Sequence, residues 1–514
     1  MARPSRSEFD AKIRRLLDRL RSDIREGRLQ HGDYLPSEVE LGRRYGLSKE
    51  SVRKALDRLV GEGLIVKIRR VGNRVDRPEP GAGTESSETA GDTGNGNDAT
   101  NLGRGDFGQA EAVRGREAGR ERGSGTMADG SRAAGAAERD RVLVRVAYYP
   151  SLREEAMMER AAAAFEAAHP GIAVKLMPTP FPLDYAEHCM ADVIALTAWD
   201  ALKMRERDPA LPLLANAPPT DYANALLAEP FRTPQGRMAA APYVHSPVVL
   251  CYNREHFAAS SLKEPEEGWT WYTLLKSART LAKRSGVCPF AAHMQSVNRW
   301  PVFLLQNGFR FGTENGRRAS ENPAFWESLR VARDLVRSQE SSVRLWTEND
   351  ADVERWFREE RTSMIMTTYY GLNRLSGTNL DYGVTPLPAL RTDATLLLAT
   401  GLAVVRQAAW PEAARSFVRY LCGEAWQTEL RRRTLTLPAH PGAMAVRQEL
   451  EGNRPSRDPD GSAWWDRCKL YSDLQLGTEE LEAVREELKA YWSMLEDEAE
   501  ASERLELLFV GKDE

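Results

Sequence analysis

The chain has 514 residues, 42 % hydrophobic and 28 % charged, with a formal net charge of −4. Its length exceeds a single hydrophobic core and sets an expectation of three domains, with the composition of a soluble globular protein rather than a fibre. Charge is uneven: residues 1–78 hold 20 Lys+Arg against 12 Asp+Glu, a net of +8 that leaves −12 on residues 79–514. A basic head on an acidic body excludes nucleic acid as a partner of the body and suggests it for the head. Residues 1–10 have no apolar stretch or cleavage site, so no signal peptide is expected. No run approaches the roughly 18 apolar residues of a membrane span, and no membrane partner is expected. Cys189, Cys251, Cys288, Cys422 and Cys468 are odd in number and never form C-x-x-C. They read as reduced thiols of a cytoplasmic protein, and with no H-E-x-x-H pattern neither metal nor cofactor is implied.

Residues 34–75 predict two short amphipathic helices, a tight turn and a hairpin. Ser37 caps the first helix, which buries Val39, Leu41 and Tyr45. Gly46 supplies the turn, and Ser48 caps a second helix that buries Val52, Leu56 and Leu59. Lys49, Ser51, Arg53 and Lys54 then lie near the start of the second helix, where a recognition helix presents side chains to base edges. Residues 64–75 read as a β-hairpin wing, with Gly72 at its turn and Arg69, Arg70 and Arg74 within reach of a phosphate or the minor groove. The other reading of the same elements is a helical protein–protein adaptor with a basic surface.

These segments resemble the GntR family of winged-helix repressors over residues 8–76. The matching pieces are Ile24-Arg-Glu-Gly27-Arg-Leu, Gly32-Asp-Tyr-Leu-Pro-Ser-Glu, Leu47-Ser-Lys-Glu-Ser-Val-Arg-Lys-Ala-Leu and Leu59-Val-Gly-Glu-Gly-Leu-Ile. The resemblance implies a homodimer on a palindromic double-stranded DNA operator. It implies DNA contacts from Ser37, Ser48, Lys49, Ser51, Arg53, Lys54, Arg69, Arg70 and Gly72. Two positions depart from the pattern, since the family often has Arg where Val39 and Lys49 stand. Lysine keeps the charge of the second but not the bidentate fork that reads guanine.

Between 79 and 140 the composition turns to Gly, Ser, Thr, Asp, Asn and Ala with almost nothing to build a core. This segment is expected to be a disordered linker. From residue 141 the pattern changes again. An alternating strand over 141–149 leads to a helix through Met157, Ala161 and Phe165, then a second strand after His169-Pro-Gly171. Strand, helix, strand at this spacing predicts a βαβ unit and a parallel sheet. A third apolar strand runs into Trp199 and Asp200. Ligands of open α/β sheets bind beyond the carboxyl ends of the strands, which is where Tyr148, Tyr149, Trp199 and Asp200 fall.

Residues 141–510 resemble bacterial extracellular solute-binding proteins, of the type 2 periplasmic fold that serves sugar transport. The pieces are Ala241-Pro-Tyr243-Val-His-Ser246 with its continuation to Phe257, Gly268-Trp-Thr-Trp271, and Phe357-Arg-Glu-Glu-Arg-Thr-Ser-Met364. Asp381-Tyr-Gly-Val-Thr-Pro-Leu-Pro388 and Thr400-Gly401-Leu-Ala-Val-Val follow in order. The segment before Ala191 is short, so a trimmed first lobe is expected. The resemblance places ligand contacts at strand ends, on Tyr149, Trp199, Asp200, Tyr243, Trp300, Tyr369 and Tyr370, with Ser246 and Gly401 beside them. Aromatic faces stack on the C–H faces of a sugar ring, and a carboxylate fixes its hydroxyls. Of the adjacent Tyr369 and Tyr370, only one faces the cleft. Trp269 and Trp271 open an amphipathic helix and are assigned to the core.

The expected fold class is multi-domain: an N-terminal winged helix-turn-helix (1–78), a linker (79–140) and a two-lobed α/β type 2 periplasmic-binding-protein fold (141–514). The expected function is a non-enzymatic, DNA-binding transcription regulator that senses a small molecule, a sugar or oligosaccharide. The alternative is a regulator with a pyridoxal-phosphate aminotransferase-like body, whose Schiff-base lysine would come from Ser260-Ser-Leu-Lys263; an acidic turn follows that lysine. Limited trypsin digestion is expected to cut first within 79–140, where arginines are many and apolar side chains few. Mass spectrometry of the earliest fragments checks this, and first cuts inside 150–500 would move the domain boundaries.

Overall fold

The computed structural model describes residues 6–36, 38–68, 72–76, 141–311, 322–338, 347, 349–449 and 462–509. The expected linker, Ser37, Arg69 and Arg70 lie outside the described residues, as does the side chain of Val39. The chain divides into two units, Met1–Arg139 and Asp140–Glu514.

In the first unit, α1 (Arg6–Arg25) buries Leu16, Leu17, Leu20 and Ile24, one stripe of a 3.6-residue period. Helix α2 (Glu38–Tyr45) adds Leu41 and the half-buried Tyr45. The turn to α3 (Lys49–Gly61) depends on two glycines. Gly46 has φ +61°, and a Cβ at Gly42 would stand 2.8 Å from the carbonyl oxygen of Leu47. Ser48 caps α3 by accepting the Ser51 N–H at 3.2 Å, and Val52, Leu56 and Leu59 are buried as expected, together with Ala55. Strands β1 (Ile65–Ile68) and β2 (Gly72–Val75) pair antiparallel, Ile68 opposite Gly72, and Ile65 and Val75 close the core.

The second unit opens with β3 (Val142–Tyr148), α4 (Leu152–Glu155), α5 (Met158–Ala168) and β4 (Ile172–Pro178). It continues with α6 (Pro182–Glu187), β5 (Val193–Thr197) and α7 (Ala198–Arg207). Strand β3 pairs parallel with both β4 and β5, the expected βαβ arrangement. Then come β6 (Ala241–Asn253), β7 (Met364–Thr368), β8 (Tyr382–Thr385), β9 (Thr395–Val404), β10 (Leu437–Pro438) and β11 (Cys468–Lys469). The first lobe's sheet runs β10-β6-β9-β5-β3-β4.

Strand β6 belongs to both lobes. Residues 241–247 pair with β9, whereas 248–253 lie between β7 and β8. All thirteen of its residues are buried, so both of its faces pack inside the molecule and its side chains do not alternate between apolar and exposed polar. Strand β9 is shared likewise: 400–404 pair with β5, and Thr395 and Leu396 pair parallel with β11. At the crossing, Ser246 Oγ accepts the Tyr369 N–H at 2.7 Å and donates to the Pro247 carbonyl at 2.9 Å. Beside it the imidazole of His245 is buried against Trp465, ring centroids 5.0 Å apart, and desolvation pulls its pKa down to about 3.

The helix start expected around Trp271 holds. Thr270 caps the helix Trp271–Ser285 by accepting the Thr273 N–H, and Trp271 is buried with its indole N–H on Gln306 Oε1 at 2.7 Å. Trp300 is also core, fully buried with its ring centroid 5.8 Å from that of Trp492. Trp300→Ala is therefore expected to cost about 3–5 kcal/mol of stability. Denaturant melts check it; weakened ligand binding with stability intact would return Trp300 to the pocket.

Candidate functional site

Three strands of the second unit end at one cavity. Tyr149, Ser151, Leu152 and Glu155 follow β3; Thr197 ends β5, with Ala198 and Trp199 after it; Tyr370 follows β7. Leu398, Ala399 and Thr400 of β9 cross behind them, and Val297, Asn298 and Tyr471 complete the wall around about 330 Å³. The place is the one expected of an open α/β sheet, at strand carboxyl ends where helices begin.

Local capping builds the wall. Thr197 caps α7 by accepting the Asp200 N–H at 3.1 Å, and its hydroxyl donates back to Asp200 Oδ2 at 2.9 Å. The Tyr149 hydroxyl donates to the same oxygen. Burial first, and then the Asp200 carboxylate, push the Tyr149 pKa well up, so it stays a neutral donor. Thr368 likewise caps the short helix Tyr369–Leu372 through the Gly371 N–H at 3.1 Å. A Cβ at Gly371 would collide with the Glu354 carboxylate and the Thr367 hydroxyl. That turn sends the two adjacent tyrosines opposite ways, Tyr370 to the cavity and Tyr369 into the core. Across the cavity Tyr471 packs edge-on to Trp199, centroids 4.9 Å apart, and its hydroxyl donates to Asn298 Oδ1 at 2.5 Å.

Glu155 is the one ionisable carboxyl among the described lining residues, and it is buried. Desolvation raises its pKa to about 7, with Arg374 opposing the shift and Glu354 and Glu154 adding to it. Arg374 is itself tied to Glu354 by an ion pair. The Glu155 backbone carbonyl accepts the Thr436 hydroxyl at 2.7 Å, and Asn373 donates to Thr436 at 2.8 Å, so α4 is linked to the start of the second lobe's loop.

The structure brings Tyr149, Trp199 and Tyr370 together at the cavity. Asp200 stands behind Tyr149 and orients it. The other expected contacts lie elsewhere. Tyr243 is fully buried, its hydroxyl donating to the Ala156 carbonyl at 3.4 Å and accepting the Trp426 indole N–H at 3.3 Å. Trp300 and Tyr369 are core, and Ser246 is spent on backbone groups at the strand crossing. Gly401 is small because Ala240 Cβ and the Ala241 carbonyl would lie 3.0 Å from any Cβ there. Sequence reasoning missed Glu155, Asn298 and Tyr471. Only Glu155 left a signal, an acid at the close of a one-turn helix directly after β3.

In the first unit, Lys49 and Lys54 are exposed on α3, and the Ser51 and Ser48 hydroxyls lie 2.7 Å apart. Arg53, expected to read bases, reaches across to α2: Nε and Nη2 donate to the Glu38 carboxylate at 3.3 and 3.2 Å. Glu50 lies 3.8 Å from the same guanidinium. Gly72 opens β2 at φ +145°.

A winged helix thus precedes a two-lobed binding fold. Residues 12–75 match the family described as bacterial regulatory proteins, gntR family. Residues 149–428, more than half the chain, match bacterial extracellular solute-binding proteins, and the chain belongs to that family. The first unit is 38 % identical over 64 residues to the HTH-type transcriptional repressor NagR of Bacillus subtilis, covering 12 % of this chain and 26 % of that one. The second is 24 % identical over 167 residues to the sn-glycerol-3-phosphate-binding periplasmic protein UgpB of Brucella abortus, 31 % of this chain and 38 % of that one. The chain therefore spans between about a quarter and two-fifths of these relatives' lengths. The ABC substrate-binding protein of Listeria monocytogenes in complex with cycloalternan shares the fold, at TM-score 0.60 and 17 % identity over 71 % of this chain and 97 % of that one. The solute-binding fold displaces an aminotransferase-like body, and Lys263 is exposed on a surface turn.

The raised Glu155 pKa has a stability consequence. An unfolded glutamate releases its proton near pH 4.3, roughly, whereas the folded chain holds it to about 7. Within that window the unfolded state binds fewer protons, so stability falls as pH rises through it. Glu155→Gln removes the effect and is expected to stabilise by about 2–3 kcal/mol more at pH 8 than at pH 5. Denaturant melts of both proteins at the two pH values check this.

Proposed function

We propose that the protein is a cytoplasmic, non-enzymatic, ligand-responsive transcription regulator. Its winged helix binds a palindromic operator as part of a homodimer, and its solute-binding unit senses a small polyhydroxylated molecule of the sugar or oligosaccharide class. The observation that carries the reading is a GntR-type winged helix in the same chain as a cavity walled by Tyr149, Trp199, Tyr370 and Tyr471. Aromatic faces of this kind stack on sugar rings, while Asn298 and Thr400 offer hydrogen bonds to hydroxyls. Lys49 and Lys54 are the exposed cations that supply phosphate contacts from α3. Arg53 reads a base only by exchanging Glu38 for it, so part of its energy is withheld from unspecific DNA.

Signalling is a matter of differential affinity. A ligand shifts operator binding only if it prefers one of two states that differ in DNA competence, and closure of two lobes about shared strands is such a pair of states. Selection of bound sequences from random duplex DNA by the full-length protein yields the operator for the test. Trp199→Ala is expected to keep operator affinity within about twofold and to abolish its response to a sugar that shifts the wild type. Fluorescence anisotropy of labelled operator reads both. A wild type indifferent to every member of a broad sugar panel, or a Trp199→Ala protein that responds normally, overturns the reading.

A further inference from the structure

We propose that the ligand of this cavity carries an ammonium group, primary on an amino sugar or quaternary on a choline-type molecule, held by an aromatic cage closed by Glu155. The inference rests on the reading of this cavity as the effector site and narrows it from a small polyhydroxylated molecule to a cationic one.

The side chains of Tyr149, Trp199, Tyr370 and Tyr471, brought from four separate parts of the chain, line the cavity. The faces of such rings carry negative charge density and attract a desolvated cation. Among the described lining residues there is no Lys, Arg or His, so an anionic group would enter without a counter-charge. Glu155 supplies the only ionisable carboxyl of the wall, buried where its ionisation is costly until a cation arrives.

The charges behind the wall point the same way. Arg374, the cation facing Glu155, is neutralised by its ion pair with Glu354. Arg299, behind Asn298, is paired with Asp350 at 3.1 Å. Asp200 stands behind Tyr149 and accepts hydrogen bonds from the Tyr149 and Thr197 hydroxyls. With Glu155 ionised, the acids Glu155, Asp200, Glu354 and Asp350 outnumber Arg374 and Arg299 by two, and Glu154 adds a further acid. Because the Glu155 proton is held to about pH 7, a cation that binds at this carboxylate releases it, and its affinity rises with pH through that range. The groups that set this titration are Arg374, Glu354, Glu154 and the neutral Tyr370 hydroxyl.

This differs in kind from the glycerol phosphate named for the Brucella relative, whose charge has the opposite sign. A shared fold does not fix the ligand.

The test is calorimetry on the full-length protein with matched probes: choline against dimethylbutanol, its uncharged isostere; glucosamine against glucose; and glycerol phosphate and maltotriose alone. Choline or glucosamine is expected to bind at least about tenfold more tightly than its neutral partner. For choline, whose charge does not titrate, the preference should grow several-fold from about pH 6 to pH 8, and in Glu155→Gln it should lose that pH dependence and most of its size. The wild-type comparison stands even if that variant fails to fold. Choline binding without glucosamine binding assigns the quaternary source, and the reverse assigns the amino sugar. Equal binding of charged and neutral partners, tighter binding of glycerol phosphate, or a preference undiminished in Glu155→Gln overturns the proposal. Binding of maltotriose with neither cation bound overturns it while leaving the cavity as a sugar site. No binding by any probe overturns both readings.

Discussion

The architecture of the second unit depends on the hydrogen-bonding of β6. A thirteen-residue strand buried along its whole length must have every backbone N–H and C=O paired, because an unpaired group away from water costs about as much as a lost hydrogen bond. Its first half satisfies them with β9 and β10, and its second half with β7 and β8. One strand thus requires neighbours in two sheets. The lobes are tied at a point that is backbone-paired on both sides, where β6 passes from one sheet to the other around Ser246 and Pro247. Ser246 bridges Pro247 and the Tyr369 amide there, its one hydroxyl proton committed to the strand crossing.

The same crossing explains where the cavity lies. Strands β3, β5 and β7 all end beside it, and each is followed at once by a helix whose first residues turn a side chain inward. Threonine does the turning in two of the three cases, Thr197 before α7 and Thr368 before the helix Tyr369–Leu372. These caps are local interactions worth about 1 kcal/mol each. Their larger consequence is geometric, since they decide which of Tyr369 and Tyr370 is core and which is wall. The close contact of Glu354 and Thr367 with Gly371 holds that decision against rotation of the turn.

Much of this was legible in the sequence, for physical reasons that differ by element. Residues 34–75 combine helix caps, glycine turns and strand alternation in one register, so local and tertiary preferences agree, and α2, α3 and the hairpin fall where expected. The parallel arrangement of β3, β4 and β5 followed from strand–helix–strand spacing. Strand ends were also visible, which is why Tyr149, Trp199 and Tyr370 reached the wall. The failures share one cause. Tyr243, Trp300 and Gly401 sit near the right places in the chain, but whether an aromatic residue at a strand faces core or cavity is set by packing partners far away, such as Trp426 and Trp492. Tyr471 was invisible for the converse reason: nothing near it marks a strand end, and it reaches Trp199 only through the fold. Arg53 looked free because its partner Glu38 lies on the neighbouring helix.

Placing an acid in this wall opposes folding at neutral pH, since its ionised form has lost water without gaining a cation of its own. Arg374 could have served as that cation, yet Glu354 already occupies it, and Glu354 is held in turn by the Thr367 hydroxyl at 2.9 Å. Replacing Glu155 with an apolar side chain of similar size would have relieved the cost, as happens when buried ionic groups are exchanged for well-packed hydrophobic ones. A group kept at a stability cost, facing an open cavity with its natural counter-ion committed elsewhere, is a group whose compensation comes from outside the chain. The energy withheld from folding is then recovered on binding, and it is recovered only by a ligand able to satisfy the carboxylate. Selectivity and responsiveness therefore have a common origin in the one buried acid of the wall, because the state that has lost its proton is also the state that gains most from being filled.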